Sequence, residues 1–239
     1  MNNNITLHNF KNKQLLFKSI AENCANKLSQ QIKHLGEASF IIPGGTTPSP
    51  AFKLLSNTDL PWDKITIAQS DERWVDANHS QSNEKLTRTS LLINQAKKAN
   101  YISMKNDQAT PFEGEQKTNQ HYQNLSSPFT ITMLGMGLDG HVASLFPGAK
   151  NIIEALSLTN ENLCIAINAQ GCPVAGDYPD RISLTLSAIL NSTTIILLIT
   201  GKEKMAVIQT ALEKKPTRNL PVSYILHQTE TPVEIFWSE

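Results

Sequence analysis

Two residues suited to acid–base chemistry lie close together in the segment GMGLDGHVASLFPG, residues 135–148. Asp139 and His141 are two positions apart in a glycine-rich loop that follows FTITML, an apolar run typical of a buried strand. An imidazole exchanges a proton near neutral pH, and a neighbouring carboxylate can orient and polarise it. The pair is a candidate for general-base catalysis, and a purely structural hydrogen bond of His141 is the alternative.

The glycines of the same segment also match G-x-G-x-x-G, the pattern of dinucleotide-binding loops, at Gly135, Gly137 and Gly140. A dinucleotide site requires a continuous helix after the loop and then a second strand that ends in an acidic residue. Pro147 and Gly148 interrupt such a helix within two turns, so we expect only a short helical stretch after His141. This spacing disfavours the dinucleotide interpretation.

A second glycine-rich loop, PGGTTP, follows the apolar run ASFII. Gly44 and Gly45 allow close approach of the backbone to a ligand, and Thr46 and Thr47 supply hydroxyl groups before a helix. These residues are candidates for a phosphate site. The alternative is a tight turn in which Thr47 caps a helix that starts at Pro48.

Charged residues follow two further apolar runs. Asp71, Glu72 and Arg73 come after DKITIAQ, and because successive side chains of a strand alternate, they cannot all face one site. We expect Glu72 and His79 to lie in a solvated turn. For Arg73 an anion ligand and a surface ion pair are equally good interpretations.

Three more cations precede or follow strand-like segments. Arg181 comes before ISLTL, and Lys202 and Lys204 follow TTIILLI at the start of a predicted helix. If these strand ends meet at the edge where PGGTTP lies, the cations could complete a phosphomonoester site, although each alone is typical of a solvated charge.

The elements that must position these residues alternate between β-rich runs and helical stretches. The spacing predicts strands within 38–42, 63–69, 129–134 and 193–199, and helices over 14–35, 48–56, 84–97, 112–125 and 203–214. This pattern predicts an α/β fold, with a mostly parallel, doubly wound, Rossmann-like sheet covered by helices on both faces. We expect residues 1–239 to form a single domain.

Composition excludes several functional classes. Lys plus Arg and Asp plus Glu each number 21, so nothing points to nucleic acid or an anionic membrane as partner. Cys24, Cys164 and Cys172 show neither paired spacing nor a zinc pattern, and the residues suggest no metal or organic cofactor. The first 14 residues lack a targeting pattern and no apolar run is long enough to span a bilayer, so we expect a cytoplasmic protein.

Taken together, these motifs resemble the 6-phosphogluconolactonase family. The order and spacing of PGGTTP, SDERWV with HSQSN, GMGLDGHVASLFPG, RISLTL, TGKEK and LPVSYIL are similar over residues 36–226. The related glucosamine-6-phosphate deaminases continue from Asp-Gly-His to a segment ending Phe-Asn-Glu-Pro, whereas this chain has SLFPG. They also carry an aromatic residue where this chain has Arg73, so the lactonases are the better match.

The resemblance implies a Rossmann-like fold and hydrolysis of 6-phospho-D-glucono-1,5-lactone without a cofactor. It implies that His141 is the general base, that Asp139 orients it and that Arg73 stabilises the developing oxyanion. The residues implied in substrate and phosphate binding are Gly44, Gly45, Thr46, Thr47, Asp71, Arg181 and Lys204, with Lys202 as a weaker candidate. Pro43 departs from the family, in which Ser is usual, and this leaves the phosphate contacts of the loop open.

Two other functions remain open at this point. A glucosamine-6-phosphate deaminase would use Asp71 to move a proton at C2 of its substrate, and a non-catalytic phosphosugar-binding protein would bind without turnover. We expect a phosphosugar lactone as the small-molecule partner, and a monomer or small homo-oligomer.

Overall fold

The computed structural model describes residues 4–239; Met1, Asn2 and Asn3, which begin the segment considered for a targeting signal, lie outside the described residues. Within residues 4–239 the strands are Ile5–Phe10 (β1), Ala38–Ile42 (β2), Ile65–Gln69 (β3), Asp71–Arg73 (β4), Asn100–Ile102 (β5), Ile131–Leu134 (β6), Cys164–Asn168 (β7), Asp180–Leu184 (β8), Ile195–Thr200 (β9) and Val233–Ser238 (β10). The α-helices of the same range are Lys13–Leu35 (α1), Ser49–Leu55 (α2), Asn83–Ser90 (α3), Pro111–Tyr122 (α4), Ile152–Ala155 (α5), Leu186–Leu190 (α6), Lys202–Glu213 (α7) and Val222–His227 (α8).

Seven of these strands form one parallel sheet in the order β1-β10-β9-β6-β2-β3-β5. Its central strands are mostly apolar and are buried along almost their whole length, as expected when both faces of a sheet are covered. The predicted parallel α/β sheet is confirmed.

Alternate residues of each central strand contribute to two separate cores. On β9, Ile196 and Leu198 pack with the cluster formed around α1 and α2, whereas Ile195, Leu197 and Ile199 pack with the cluster that includes α7 and α8. Helices therefore cover both faces of the sheet, as predicted. Among residues 4–239, none of the helices combines the length and the apolar character that crossing a membrane requires.

The helix predictions differ from the structure mainly at their ends. Helix α1 matches its predicted range and ends at Gly36, whose φ of +83° closes the last turn. The helix predicted over 84–97 ends at Ser90, and a separate 3-10 turn covers Asn94–Lys98. The short helical stretch expected after His141 is a run of turns, and Thr47 does not cap α2, which begins after Pro48 without a side-chain cap.

A second, three-stranded antiparallel sheet in the order β4-β8-β7 was not predicted. Ser70 joins it to the central sheet, since its N–H donates to Ile42 O and its carbonyl accepts from Leu184 N, both at 2.8 Å. The residues predicted as a loop after β3 are therefore a strand, β4, that lies beside the carboxyl ends of β2 and β6. In open parallel sheets this edge is where ligands bind.

The Glu72 carboxylate holds β4 against α3. Glu72 is almost fully buried, and its two oxygens accept hydrogen bonds from the backbone N–H groups of Arg73, Asn83 and Glu84, each at 2.8 Å. The Ser82 hydroxyl, 3.1 Å away, donates to the same group. Burial raises the pKa of Glu72, although the three N–H groups act in the opposite direction. The expectation of a solvated turn at Glu72 is wrong, because the side chain caps a helix N-terminus inside the protein.

We expect Glu72→Gln to lower the free energy of unfolding by about 2 to 3 kcal/mol, because an amide NH₂ would face N–H donors that lose their acceptor. Urea denaturation measured by circular dichroism tests this. Glu37→Gln, at an exposed glutamate, is the matched control and should leave the midpoint unchanged. Equal midpoints for the two variants would show that the Glu72 carboxylate does not hold β4 against α3.

Candidate active site

The loops at the carboxyl ends of β2, β3, β6 and β9 enclose a cleft of about 280 Å³. This volume is close to the lower end of the range typical of small-molecule sites. The cleft is lined by Pro43, Gly44, Gly45, Thr47, Pro48, Ser70, Asp71, Arg73, Asn83, Gly135, Met136, Gly137, His141, Ala143, Phe146, Val174, Arg181, Leu198 and Lys204.

His141 lines this cleft and is paired with Asp139 behind it. His141 Nδ1 lies 2.6 Å from Asp139 Oδ1, and the same oxygen accepts from the His141 backbone N–H at 3.2 Å. Because a carboxylate only accepts, the proton of a neutral imidazole stays on Nδ1, and Nε2 keeps its lone pair. Burial raises the pKa of Asp139, but the hydrogen bond and charge of His141 outweigh it and the pKa lies below its ordinary value. The pair can therefore act as an oriented base.

Glycine at position 137 is required by the histidine ring. A Cβ atom on Gly137 would lie 2.3 Å from His141 Nδ1 and 2.5 Å from Asp139 Oδ1, so any side chain here would displace the pair. Within the glycine pattern, Gly137 thus leaves room for the His141 imidazole. Two residues after His141 the chain turns sharply, since Ala143 has a φ of +49°, a left-handed conformation that costs energy for a residue with a Cβ.

The loop after β2 presents its backbone to the cleft. The N–H groups of Gly44, Gly45, Thr46 and Thr47 donate to no acceptor in the part of the chain that the structure describes. Gly45 has a φ of +80°, a conformation that glycine adopts at little cost. A run of free N–H groups in a turn is suited to an anion. The loop is therefore suited to an anion, and its role as a phosphate site stays a prediction.

Arg73 and Arg181 are brought face to face by the small antiparallel sheet. They are direct partners in the ladder between β4 and β8. Like charges opposite each other in a ladder are destabilising unless an anion lies between or beside them. Both side chains line the cleft, and Lys204 enters it from the start of α7. This cluster of cations favours an anionic ligand.

Arg181 is held rigidly by backbone carbonyls. Its Nε donates to Tyr178 O at 2.5 Å and its Nη2 to Ala175 O at 2.8 Å, and only 5% of the residue is exposed. Desolvation lowers the pKa of Arg181 to about 10, against the opposing effect of Asp71, so it remains a cation at neutral pH. Burial likewise lowers the pKa of Lys204. These two cations are poorly solvated and gain more from a bound anion than surface charges would.

Asp71 lies at the centre of a buried polar network. Its Oδ2 accepts from the Ser144 hydroxyl at 2.6 Å and lies 4.0 Å from Arg181 Nη1. Its backbone carbonyl accepts from Asn83 Nδ2 at 2.9 Å. Asp71 and Arg73 face the cleft while Glu72 between them faces away, as the alternation of a strand predicts.

Four predicted or considered residues lie outside the cleft lining. Thr46 is exposed, and Lys202 forms an ion pair with Glu239 in which its side chain is 75% exposed. His79 packs edge-on against Tyr178, with ring centroids 5.2 Å apart. Asp139 reaches the site through His141 alone.

Two further residues, Asn83 and Phe146, line the cleft although the sequence had not predicted them as site residues. Asn83 follows the helix cap Ser82. The Phe146 ring contacts both His141 and Arg181, at 4.4 Å from the His141 ring and 5.5 Å from Arg181 Cζ. Phe146 belongs to the motif segment SLFPG, which could have pointed to it. Its contact with Arg181 joins residues 35 positions apart in the chain, so the local sequence does not show that contact. Across residues 4–239, no group of three or more His, Cys, Asp or Glu side chains is arranged to hold a metal ion.

Comparisons with known proteins agree with this architecture. A family model described as glucosamine-6-phosphate isomerases/6-phosphogluconolactonase matches residues 11–237. A 6-phosphogluconolactonase of Caulobacter vibrioides is 34% identical over 237 residues, 98% of each chain. One from Xylella fastidiosa is 35% identical over 233 residues, 98% of this chain and 96% of the relative. The crystal structure of a 6-phosphogluconolactonase from Shewanella baltica matches with a TM-score of 0.94 and 36% identity, covering 100% of both chains.

We expect Gly137→Ala to separate His141 from Asp139, because the added methyl group overlaps both side chains. Proton NMR in water should show loss of the downfield imidazole N–H signal that the Nδ1 hydrogen bond produces, with stability lowered by about 1 to 3 kcal/mol. Gly135→Ala is the control, since a Cβ there meets nothing within 4 Å. Retention of the N–H signal in Gly137→Ala would show that the hydrogen bond between His141 and Asp139 does not require glycine at position 137.

Proposed function

The chain belongs to the glucosamine-6-phosphate isomerase/6-phosphogluconolactonase family, and we propose that it hydrolyses 6-phospho-D-glucono-1,5-lactone to 6-phospho-D-gluconate, a step of the oxidative pentose phosphate pathway. The relatives that match nearly its whole length at 34% to 36% identity are 6-phosphogluconolactonases. The observation that carries the proposal is the 2.6 Å pairing of His141 with Asp139 in a cleft that also contains Arg73 and Arg181.

His141 is the general base in this proposal. Its Nε2 removes a proton from a water molecule as the water oxygen attacks the lactone carbonyl carbon. Asp139 holds the proton on Nδ1 and stabilises the imidazolium that forms. The tetrahedral intermediate then breaks the bond between the carbonyl carbon and the ring oxygen, and the ring oxygen takes the proton back from His141. The products are a carboxylate and a hydroxyl group, and the released acid proton goes to solvent.

Arg73 stabilises the oxyanion of that intermediate in this proposal. Its Nη1 is anchored by Gln81 O at 2.6 Å. Its Nη2 donates to no acceptor among residues 4–239, which leaves one end of the anchored guanidinium uncommitted. A preorganised donor of this kind strengthens its interaction as negative charge develops, and that difference lowers the barrier.

The phosphate is bound by the loop after β2 together with Arg181 and Lys204. Free N–H groups at Gly44 to Thr47 supply neutral donors, and the two partly desolvated cations supply charge. The Thr46 side chain is exposed and outside the cleft lining, so only its backbone N–H is available to the phosphate. Pro43 has no N–H group, so the donors begin at Gly44.

The deaminase alternative lacks a carboxylate in the cleft on the histidine loop. The first acidic residue after His141 is Glu154, which lies in α5 and faces a separate, shallow groove. The position that precedes Pro147 is taken by Phe146. The non-catalytic alternative does not account for the oriented base that His141 and Asp139 form.

We also infer a cytoplasmic location and a monomer or small homo-oligomer. Three buried free cysteines and a balance of 21 basic and 21 acidic residues support the first inference.

We expect His141→Ala to lower kcat by about 10²- to 10⁴-fold, because it removes the base but none of the phosphate donors. The lactone is generated in place by glucose-6-phosphate dehydrogenase, and its decay is compared with spontaneous hydrolysis. Binding of 6-phosphogluconate, measured by calorimetry, should stay near the wild-type value. Wild-type turnover in this variant would remove His141 from the mechanism.

Arg181→Ala should raise KM by about 10- to 100-fold with little change in kcat, because the arginine binds the phosphate equally in the ground and transition states. Lys202→Ala removes a cation that is paired at the surface and serves as the matched control. Its KM should stay within about twofold of wild type. If the two variants gave the same KM, the phosphate assignment of Arg181 would be wrong.

A further inference from the structure

The walls of the cleft differ in chemistry. The side chains of Arg73, Arg181 and Lys204 offer only donors, and the loop after β2 adds free backbone N–H groups. Asp71 and Asn83 form a wall that also offers acceptors, and nothing in the mechanism above uses them. A phosphorylated sugar lactone carries both kinds of partner, since its phosphate and carbonyl accept hydrogen bonds and its ring hydroxyl groups also donate them.

Asn83 is a buried polar side chain directed into this cleft. It is 4% exposed and stands at the first position of α3, where the Glu72 carboxylate accepts its backbone N–H. Its amide packs against the phosphate loop so closely that a Cβ on Gly44 would lie 2.1 Å from Asn83 Oδ1. The amide therefore contacts the loop that holds the phosphate and the strand that carries Asp71.

The hydrogen bonds of Asn83 define which way its amide faces. Nδ2 donates to the Asp71 carbonyl at 2.9 Å and lies 3.5 Å from Asp71 Oδ1, so both acceptors are on the same side. Oδ1 lies on the other side of the amide and receives no hydrogen bond from the residues that the structure describes. An amide oxygen that lines a cleft and has no donor from the protein is free to accept a hydrogen bond from a ligand.

We propose that Asn83 Oδ1 accepts a hydrogen bond from one hydroxyl group on the lactone ring and thereby makes the enzyme selective for hydroxylated over deoxy lactones. This inference rests on the proposed function, because it takes the lactone as substrate. The Asp71 contact holds the amide in place, and Asn83 touches the substrate. A site with a committed buried acceptor rejects an analogue that lacks the matching hydroxyl, since the acceptor is then left unpaired.

The test compares kcat/KM of wild type and Asn83→Ala for four lactones: the parent compound and its 2-deoxy, 3-deoxy and 4-deoxy analogues. With the parent lactone, Asn83→Ala should lower kcat/KM by about 3- to 10-fold, the value of one neutral hydrogen bond. With one deoxy analogue the two proteins should agree within about twofold, because the contact is already missing. The other two analogues should keep the full difference.

An equal loss with all four lactones, or no loss with any, would overturn the proposal, because a merely structural effect does not depend on which hydroxyl is absent. Asn83→Ser, which keeps a polar residue at the helix start but is too short to span the gap, provides the same comparison if Asn83→Ala unfolds. Ser90→Ala, at a buried serine of the same helix outside the cleft, should behave as wild type. Wild-type protein without lactonase activity would instead disprove the function itself.

Discussion

The geometry of the cleft depends on one buried carboxylate, that of Glu72. Its oxygens take three backbone N–H groups, and these come from two elements, β4 and the start of α3. Because the side chains of a strand alternate, turning Glu72 inward to the protein turns Asp71 and Arg73 outward to the cleft. The same bonds fix the start of α3 and with it Asn83. A single capping interaction thus orients residues with three different proposed roles.

The cations of the site are held in an electrostatically unfavourable arrangement. Arg73 opposes Arg181 across a ladder, and Arg181 is buried with its closest carboxylate 4.0 Å away. Such an arrangement is unfavourable in the free protein, and two backbone carbonyls and the Phe146 ring hold Arg181 in it. In the proposed function, a bound phosphate dianion would relieve this repulsion, and the relief would add to the affinity for the ligand.

The histidine loop was the part of the site that could be predicted best from the sequence. Asp139 and His141 are two residues apart, so a local turn is enough to join them, and the structure shows their contact. For the loop after β2 the glycines predicted a tight turn, and Gly45 has the positive φ that such a turn requires. Its phosphate role stays a prediction, because glycines after an apolar run also occur in turns that bind no ligand. Phe146 and Asn83 were not, since their contacts with Arg181 and with Gly44 and Asp71 connect distant parts of the chain.

By itself, the sequence determined the parallel α/β sheet, the positions of its central strands and the local acid–base pair, because these follow from apolar periodicity and short-range turns. Only the tertiary structure decided that Glu72 is a buried cap, that Lys202 points to solvent while Lys204 enters the cleft, and that Arg73 faces Arg181. For Glu72 and for the two arginines, the physical reason is the second sheet. Its antiparallel pairing joins β4 to β8 across more than 100 residues, and such long-range pairing leaves no periodic signal in the short segments that form it.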